Sequence, residues 1–294
     1  MMKSNHMNQY AVNLLFIVLA CVSIFPFALL IMASFTDQKA IINEGYSLFP
    51  SALSLDAYRF MMNSASSLFR AYGITVFITL FGTAVGLAIS TMLAYPLSRS
   101  DMPLRKVMSF LVFFTLLFNG GLVSTYLIYT EFFHIKNTIW ALIIPGLLTN
   151  GFYILLIRTF FSTSIPPAII ESAYIDGASE FKIFIRIVLP LSLPILATIG
   201  LMLGISYWND WFNGLIFVTD SKLFSIQNML NRMLTDLQFI QRSNMTNTSQ
   251  ATANIPAESV RMAIAVIGII PIFCAYPFFQ KFFVKGLTIG AVKG

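Results

Sequence analysis

The chain has 294 residues, of which 57% are hydrophobic and only 10% charged, with 29 phenylalanines. Soluble domains carry roughly one quarter charged residues, so the composition excludes a soluble globular protein and points to an all-α polytopic membrane bundle. The formal net charge of +6 is not gathered into a basic, aromatic patch; it reads as charge that orients membrane segments, and it does not point to nucleic acid.

In chain order, the first apolar run extends from about Tyr10 to Phe35, with no charge between Lys3 and Asp37. That is enough to cross roughly 30 Å of hydrocarbon, with Pro26 as a possible kink site. Val18-Leu19-Ala20-Cys21 loosely resembles a lipoprotein processing site, but the apolar run continues past Cys21 and five more follow. The segment therefore reads as a retained anchor. Cys21 and Cys274 both lie in apolar runs and form neither a disulfide framework nor a metal-ligand spacing. Residues 36–70 turn polar, with Asp37, Lys39, Glu44, Asp56 and Arg59 and the loop signals Gly45 and Pro50.

A second span, 71–97, carries Gly82-Thr-Ala-Val-Gly86, a small-residue pattern that lets helices approach closely. The short turn 98–106 holds Arg99, Arg105 and Lys106, a density that belongs on the cytoplasmic side. A third span, 107–130, is interrupted at Asn119-Gly120-Gly121, where freed backbone groups need protein or a water-filled cavity around them. The fourth span is predicted at 137–157 with Arg158 at its inner end, the fifth at 191–218 and the sixth at 258–279. An inner tail with Lys281, Lys285 and Lys293 follows. External segments occupy 36–70 and 219–257, and a polar island fills 158–190. This makes one transmembrane domain over 1–294, with six transmembrane helices and both termini in the cytoplasm.

Within the second external segment, Ile226, Met229, Leu230, Met233, Leu234 and Leu237 fall at helical spacing, which predicts an amphipathic helix over 223–241. The Asn, Thr and Ser-rich stretch 243–254 reads as a flexible loop. Asn244-Met-Thr246 and Asn247-Thr-Ser249 within it match the glycosylation pattern, a match that a bacterial source would make meaningless.

The polar island predicts two short helices. Ser164 and Pro166 signal the first start, Gly177 supplies a left-handed cap, and Ser179 caps the second helix. In that second helix Phe181, Phe184, Ile185 and Val188 form an apolar face opposite Glu180, Lys182 and Arg186, and Pro190 ends it. On these residues alone, a loop folded back on its own bundle and a docking element for a partner remain equally open.

The spacing Glu171, Ala173, Gly177, Ile187, Leu189, Pro190 resembles the EAA loop of binding-protein-dependent ABC import permeases, placed before the penultimate span as in that family. Asn119-Gly-Gly-Leu-Val-Ser-Thr-Tyr126, Trp208-Asn-Asp-Trp-Phe-Asn213 and the ending Tyr276 to Gly294 extend the likeness to the oligosaccharide branch of carbohydrate-uptake family one, of the LplC/YtcP type. Ser172 departs from the commoner Ala. The resemblance implies the type I importer permease fold in a bacterial plasma membrane. It also implies a homologous second permease subunit, two cytoplasmic ATPase subunits and an extracytoplasmic solute-binding lipoprotein. Glu171, Ala173, Asp176, Gly177, Ile187 and Pro190 are then the ATPase-coupling residues. The chain has no phosphate-binding Gly-x4-Gly-Lys-Ser/Thr loop, so it is not itself an enzyme and binds no cofactor of its own; ATP and Mg belong to the partner ATPases.

An oligosaccharide in a membrane needs hydrogen-bonding groups and flat aromatic faces. Tyr207, Trp208, Asn209, Trp211 and Asn213, with Asn119, Asn150 and Tyr153, are the substrate-path candidates; an interfacial aromatic belt and helix-packing hydrogen bonds explain the same residues equally well. Asp210, the one acid in the fifth apolar run, reads as a partner contact or a solvated group near the outer interface. His6 and His134 fall in tail and loop, and no catalytic or metal-binding constellation is visible. The competing classes are an ion-coupled secondary transporter, an intramembrane enzyme and an ABC permease for a non-sugar solute; paired broken helices or a catalytic cluster, the marks of the first two, are not evident.

Overall fold

A computed structural model of the chain describes residues 6–63, 65–246 and 256–291. Among these the architecture is helical, and the one antiparallel contact is an isolated bridge between Thr36 and Leu53. The helices are α1 (His6–Ser34), α2 (Gln38–Glu44), α3 (Asp56–Met62), α4 (Ala65–Ser98), α5 (Arg105–Leu117), α6 (Gly121–Leu127), α7 (Trp140–Ile143), α8 (Gly151–Ser164), α9 (Pro167–Ile175), α10 (Glu180–Ile183), α11 (Leu189–Leu191), α12 (Leu193–Trp208), α13 (Phe212–Phe217), α14 (Ile226–Thr246) and α15 (Ala257–Ala291). Three stretches are long and apolar enough to cross a membrane unbroken: Val12–Ser34, Ala65–Ser98 and Ala257–Cys274.

The chain packs as two compact units. One comprises Met1–Ser66 and Leu230–Pro271. In it the polar segment after α1 is ordered rather than a loose loop. Asp37 caps α2 by accepting from the Lys39 amide at 2.9 Å. Tyr58 stacks on Phe35 with ring centroids 5.0 Å apart and shares a 2.8 Å hydrogen bond with Ser34. Gln38 Oε1 accepts from the amides of Glu258 and Ser259 at 3.0 and 3.4 Å, satisfying the first free donors of α15.

The other unit comprises Ser67–Met229 and Ile272–Gly294. Its axis is α4, and its glycines decide what α4 can touch. A β-carbon on Gly82 would lie 2.4 Å from the Tyr207 ring, and one on Gly86 would lie 2.8 Å from the Leu148 carbonyl oxygen. The small-residue pattern is therefore a packing face, with one notch for a buried tyrosine and one for another segment's backbone.

The spans predicted as third, fourth and fifth are broken helices. Arg105–Leu117 and Gly121–Phe132 meet at 113°, with the break at Asn119-Gly120-Gly121 as the sequence indicated. The predicted fourth span, 137–157, is not one helix. It holds only the short α7 before Pro145 and Gly146 interrupt the chain, Gly146 at φ +72°, and helical structure resumes at the Asn150 cap of α8. Asn137, itself at φ +55°, accepts from the Thr219 and Asp220 amides at 2.6 and 3.1 Å and cannot open a helix in that role. The predicted fifth span likewise ends at Trp208, and α13 is a separate piece. α8 runs past Arg158 to Ser164, so the helix ends later than the charge suggested, and Ser164 closes a helix instead of opening one.

The amphipathic helix forms as α14, with Ile226, Leu230 and Leu237 buried. It continues to Thr246, into the stretch read as a loop, because Asn and Ser are tolerated at the end of a helix already nucleated. Helix α15 likewise runs beyond the predicted span, through Lys281 and Lys285 to Ala291. The Asn247 acceptor pattern, the rest of that loop to residue 255, and Lys293 lie outside the described residues.

Replacing Gly82 with Ala, which forces the Tyr207 ring to move, should lower stability by about 1–3 kcal/mol, the usual range for overpacking. Gly73→Ala on the same helix, where a β-carbon meets nothing within 4 Å, should leave stability unchanged or raised. Thermal unfolding of the two purified variants side by side is the measurement.

Candidate functional site

The polar island folds as a helix-turn-helix. Pro166 occupies the cap position and Pro167 the first turn of α9, where a missing N–H is harmless. At the other end Gly177, at φ +74°, takes the left-handed conformation. The Ala178 amide donates to the Ala173 carbonyl and the Gly177 amide to the Tyr174 carbonyl, both at 2.9 Å, which is the Schellman pattern. Its usual apolar contact is present too, because Ala173 is buried and Ala178 packs against the same core. Nothing lies within 4 Å of a β-carbon on Gly177, so its requirement for glycine is conformational and not steric.

The second helix differs from its predicted face. A π turn over Phe184–Val188, in which the Leu189 amide reaches back to Phe184, widens the helix. Ile183, Phe184 and Val188 are buried and Ile187 partly so, while Phe181 and Ile185 are 66% and 44% exposed. Ser179 stands at the cap position without a side-chain capping bond. Pro190 does not end the helix. The wide turn just before it accommodates the missing donor, the helix continues to Leu191, and the chain turns by 81° at Ser192 before α12.

The loop thus has two faces. Inward, Ala173, Ile183, Phe184 and Val188 join one apolar core with Ala94, Tyr95 and Leu97 of α4, Ile154, Ile157 and Phe161 of α8, and Ile199 and Leu203 of α12. Outward, Glu171 and Asp176 are exposed and make no side-chain hydrogen bond or ion pair among the described residues, Pro190 is exposed, and Ile175 is 87% exposed. The Ser172 hydroxyl that departs from the family pattern donates to its own helix at Ile169, 3.0 Å away, which leaves the outer face unaltered.

A polar latch that sequence reading missed ties the loop to α4. Glu180 accepts from the Tyr95 hydroxyl at 2.7 Å and from the Tyr174 hydroxyl, and Arg99 lies 3.9 Å from the same carboxylate. The Arg99 guanidinium sits 5.2 Å from the Tyr174 ring centroid and grips Asp101 through two bonds of 2.9 and 2.6 Å. That grip holds the Asp101 carboxyl below its ordinary range and keeps Arg99 firmly protonated. Burial, and then the bond to Glu180, push the Tyr174 hydroxyl up. Opposite charges on the 98–106 turn and the island were the available signal, but which of them met was a matter of folding.

The substrate-path candidates do not form one lining. Tyr207 is wholly buried and donates to the Ile143 carbonyl at 2.9 Å; Asn213 is buried and donates to the Pro145 carbonyl at 2.9 Å. Both satisfy backbone freed by the break after α7, so in this conformation they are packing groups. Asn150 and Asn119 are likewise local, accepting from the Phe152 and Gly121 amides at 2.9 and 2.8 Å. Tyr153 packs at the edge of the loop's core, and Trp208 is buried with the Tyr72 ring 6.3 Å away. Asn209 and Trp211 remain exposed, Trp211 by 44%. Asp210 is also part of the frame, with Oδ1 accepting from the Phe212 and Asn213 amides at 3.2 Å each at the start of α13. Among the described residues no group of His, Cys, Asp or Glu could hold a metal ion.

Residues 9–289 match the family described as "Binding-protein-dependent transport system inner membrane component". The chain is 37% identical over 275 residues to the polygalacturonan/rhamnogalacturonan transport system permease protein YtcP of Bacillus subtilis (strain 168), covering 94% of each chain. It is 37% identical over 285 residues to protein LplC of the same organism, covering 96% of this chain and 94% of the relative. A bacterial ABC transporter that imports the acidic polysaccharide alginate contains a chain of similar structure, with a TM-score of 0.79, 27% identity, and coverage of 96% of this chain and 99% of that one.

Replacing Tyr95 with Phe should weaken the latch by about 1.5–3 kcal/mol, the scale of a hydrogen bond to a charged group. Hydrogen exchange of amides in 167–188 should accelerate correspondingly, while amides of α2 and α3 keep their rates.

Proposed function

We propose that this chain, which belongs to the family of binding-protein-dependent transport system inner membrane components, is the permease subunit of a bacterial ABC importer for oligosaccharides. It works by alternating access coupled to ATP hydrolysis in partner subunits. The observation that carries the reading is the two-faced loop, anchored by its inner face in the membrane core and presenting Glu171, Ile175, Asp176 and the Gly177 turn outward.

On this reading residues 1–294 form one permease domain with six crossings, of which the third, fourth and fifth are the broken segments, and both termini lie in the cytoplasm. The outer face of α9 seats in a partner ATPase. Ile175 supplies an apolar anchor, Glu171 and Asp176 supply charge-assisted contacts, and Gly177 fixes the angle between the two short helices. Movement of the ATPases displaces α9 as a rigid body, because the Schellman turn and the buried Ala173 leave it no independent freedom. Ile187, Val188 and the stretch through Pro190 pass that displacement to α12, and the Glu180 latch passes it to α4. ATP and Mg reside in the ATPases, and this chain contributes no hydrolytic chemistry.

The sugar assignment draws on the printed names of the relatives. It is supported by the exposed Trp211 and Asn209, which offer an aromatic face and an amide to a saccharide. A second, homologous permease completes the pathway, and an extracytoplasmic solute-binding lipoprotein delivers the oligosaccharide.

Gly177→Val should abolish uptake by the reconstituted complex while leaving the affinity of the solute-binding protein for its oligosaccharide intact. A β-branched residue in the left-handed region costs roughly 1–2 kcal/mol, and Asn, which tolerates that region, should retain most transport. Equal uptake by the Val variant and the parent would remove Gly177 from the coupling pathway.

A further inference from the structure

A second feature of the inner end of α4 serves neither coupling nor the substrate path. Beside it lies a cavity of about 700 Å³, lined among others by Ser100, Arg105, Lys106, Ser109 and Arg158. Arg105 and Arg158, 53 positions apart in sequence, place their Nε groups on one acceptor, the Leu97 carbonyl, at 3.0 and 3.1 Å. This caps the C-terminal end of α4, where cations are favoured. It uses one donor from each guanidinium, and among the described residues the remaining nitrogens have no hydrogen bond or ion pair. Among the described residues Lys106 is exposed and equally without a partner, and the Ser109 hydroxyl is buried without one.

Every polar side chain named on this wall can donate, and no carboxylate lines it. The nearest acid in sequence, Asp101, is already held by Arg99 through two bonds. Helix α5 begins at Arg105, and its cap residue Leu104 offers no side-chain acceptor, so the first free amides of a 13-residue helix add to the positive potential. From the cavity α5 continues as an unbroken apolar surface, with Val107, Phe110, Leu111 and Phe114 all exposed.

We propose that this cavity binds the phosphate of an anionic phospholipid headgroup, with the acyl chains lying along the exposed face of α5. Free phosphate would share the polar contacts, but it would leave unexplained why the cationic wall is continuous with a membrane-facing apolar one. Basic pockets between membrane helices on the cytoplasmic side are suited to such headgroups, and a cavity of this size accommodates one. The choice of leaflet rests on the proposed orientation of the chain; the binding itself does not.

The full-length chain, delipidated in detergent, is offered phosphatidylglycerol, phosphatidylcholine of the same acyl composition, or inorganic phosphate, and retained ligand is counted by native mass spectrometry. Phosphatidylglycerol should be retained in preference to phosphatidylcholine. Lys106→Gln should reduce that retention about fivefold, the factor equivalent to the roughly 1 kcal/mol contributed by one basic residue near an anionic surface. Lys222→Gln, an equal charge change at an exposed lysine elsewhere, should not. Equal retention of the two lipids, or no effect of Lys106→Gln, overturns the site. Retention of inorganic phosphate without a preference for phosphatidylglycerol overturns the lipid assignment. Because these measurements are made in detergent, they stand apart from orientation, which labelling of Ser100→Cys in intact cells decides separately.

Discussion

A peptide group released from its helix inside hydrocarbon has no water to turn to, and this constraint organises the larger unit of the structure. Where the chain breaks after α7, the Ile143 and Pro145 carbonyls are taken by Tyr207 and Asn213. Glycine at 82 makes room for the Tyr207 ring, and glycine at 86 lets the Leu148 carbonyl approach. The start of α14 belongs to the same economy of donors, since the Ile226 amide bonds the Thr75 hydroxyl of α4 at 2.7 Å and Asn228 reaches the Trp211 carbonyl at 3.3 Å. The broken segments are therefore ordered: each named carbonyl or amide has a specific partner on another element.

The helix-turn-helix that begins at Pro167 obeys the same logic with one face buried and the other exposed. Its inner face is apolar and continuous with α4, α8 and α12, so that face resists independent movement. Its outer face keeps an exposed isoleucine and two unpaired carboxylates, which a folded loop with no partner has little reason to retain. Folding back on the bundle and the proposed docking on a partner are compatible, because the loop does the first with one face and leaves the other exposed. On the proposed function a displacement applied to α9 passes into the helices beneath it.

Much of this was legible from residue order. The long runs of α1, α4 and α15, the break at Asn119-Gly120-Gly121, the left-handed Gly177 and the amphipathic α14 follow from local chemistry: apolar length, glycine's freedom at positive φ, and helical periodicity. The island between two apolar spans carried the family resemblance in its spacing, and no neighbour was needed to read it.

The identity of partners was decided only in three dimensions. Tyr207 and Asn213 look, in sequence, like groups awaiting a sugar, and become donors to carbonyls more than sixty positions away. Glu180 looks like one charge on a helix face and becomes the meeting point of Tyr95, Tyr174 and Arg99. The π turn, with Phe181 and Ile185 exposed and Ile183 buried beside the expected Phe184 and Val188, leaves no mark in the hydrophobic pattern, because it depends on how Pro190 is accommodated downstream. Sequence fixes which groups must be satisfied and which backbone conformations are allowed, since both are properties of single residues and near neighbours. Which donor satisfies which acceptor depends on packing between distant segments, and that only the tertiary structure decides.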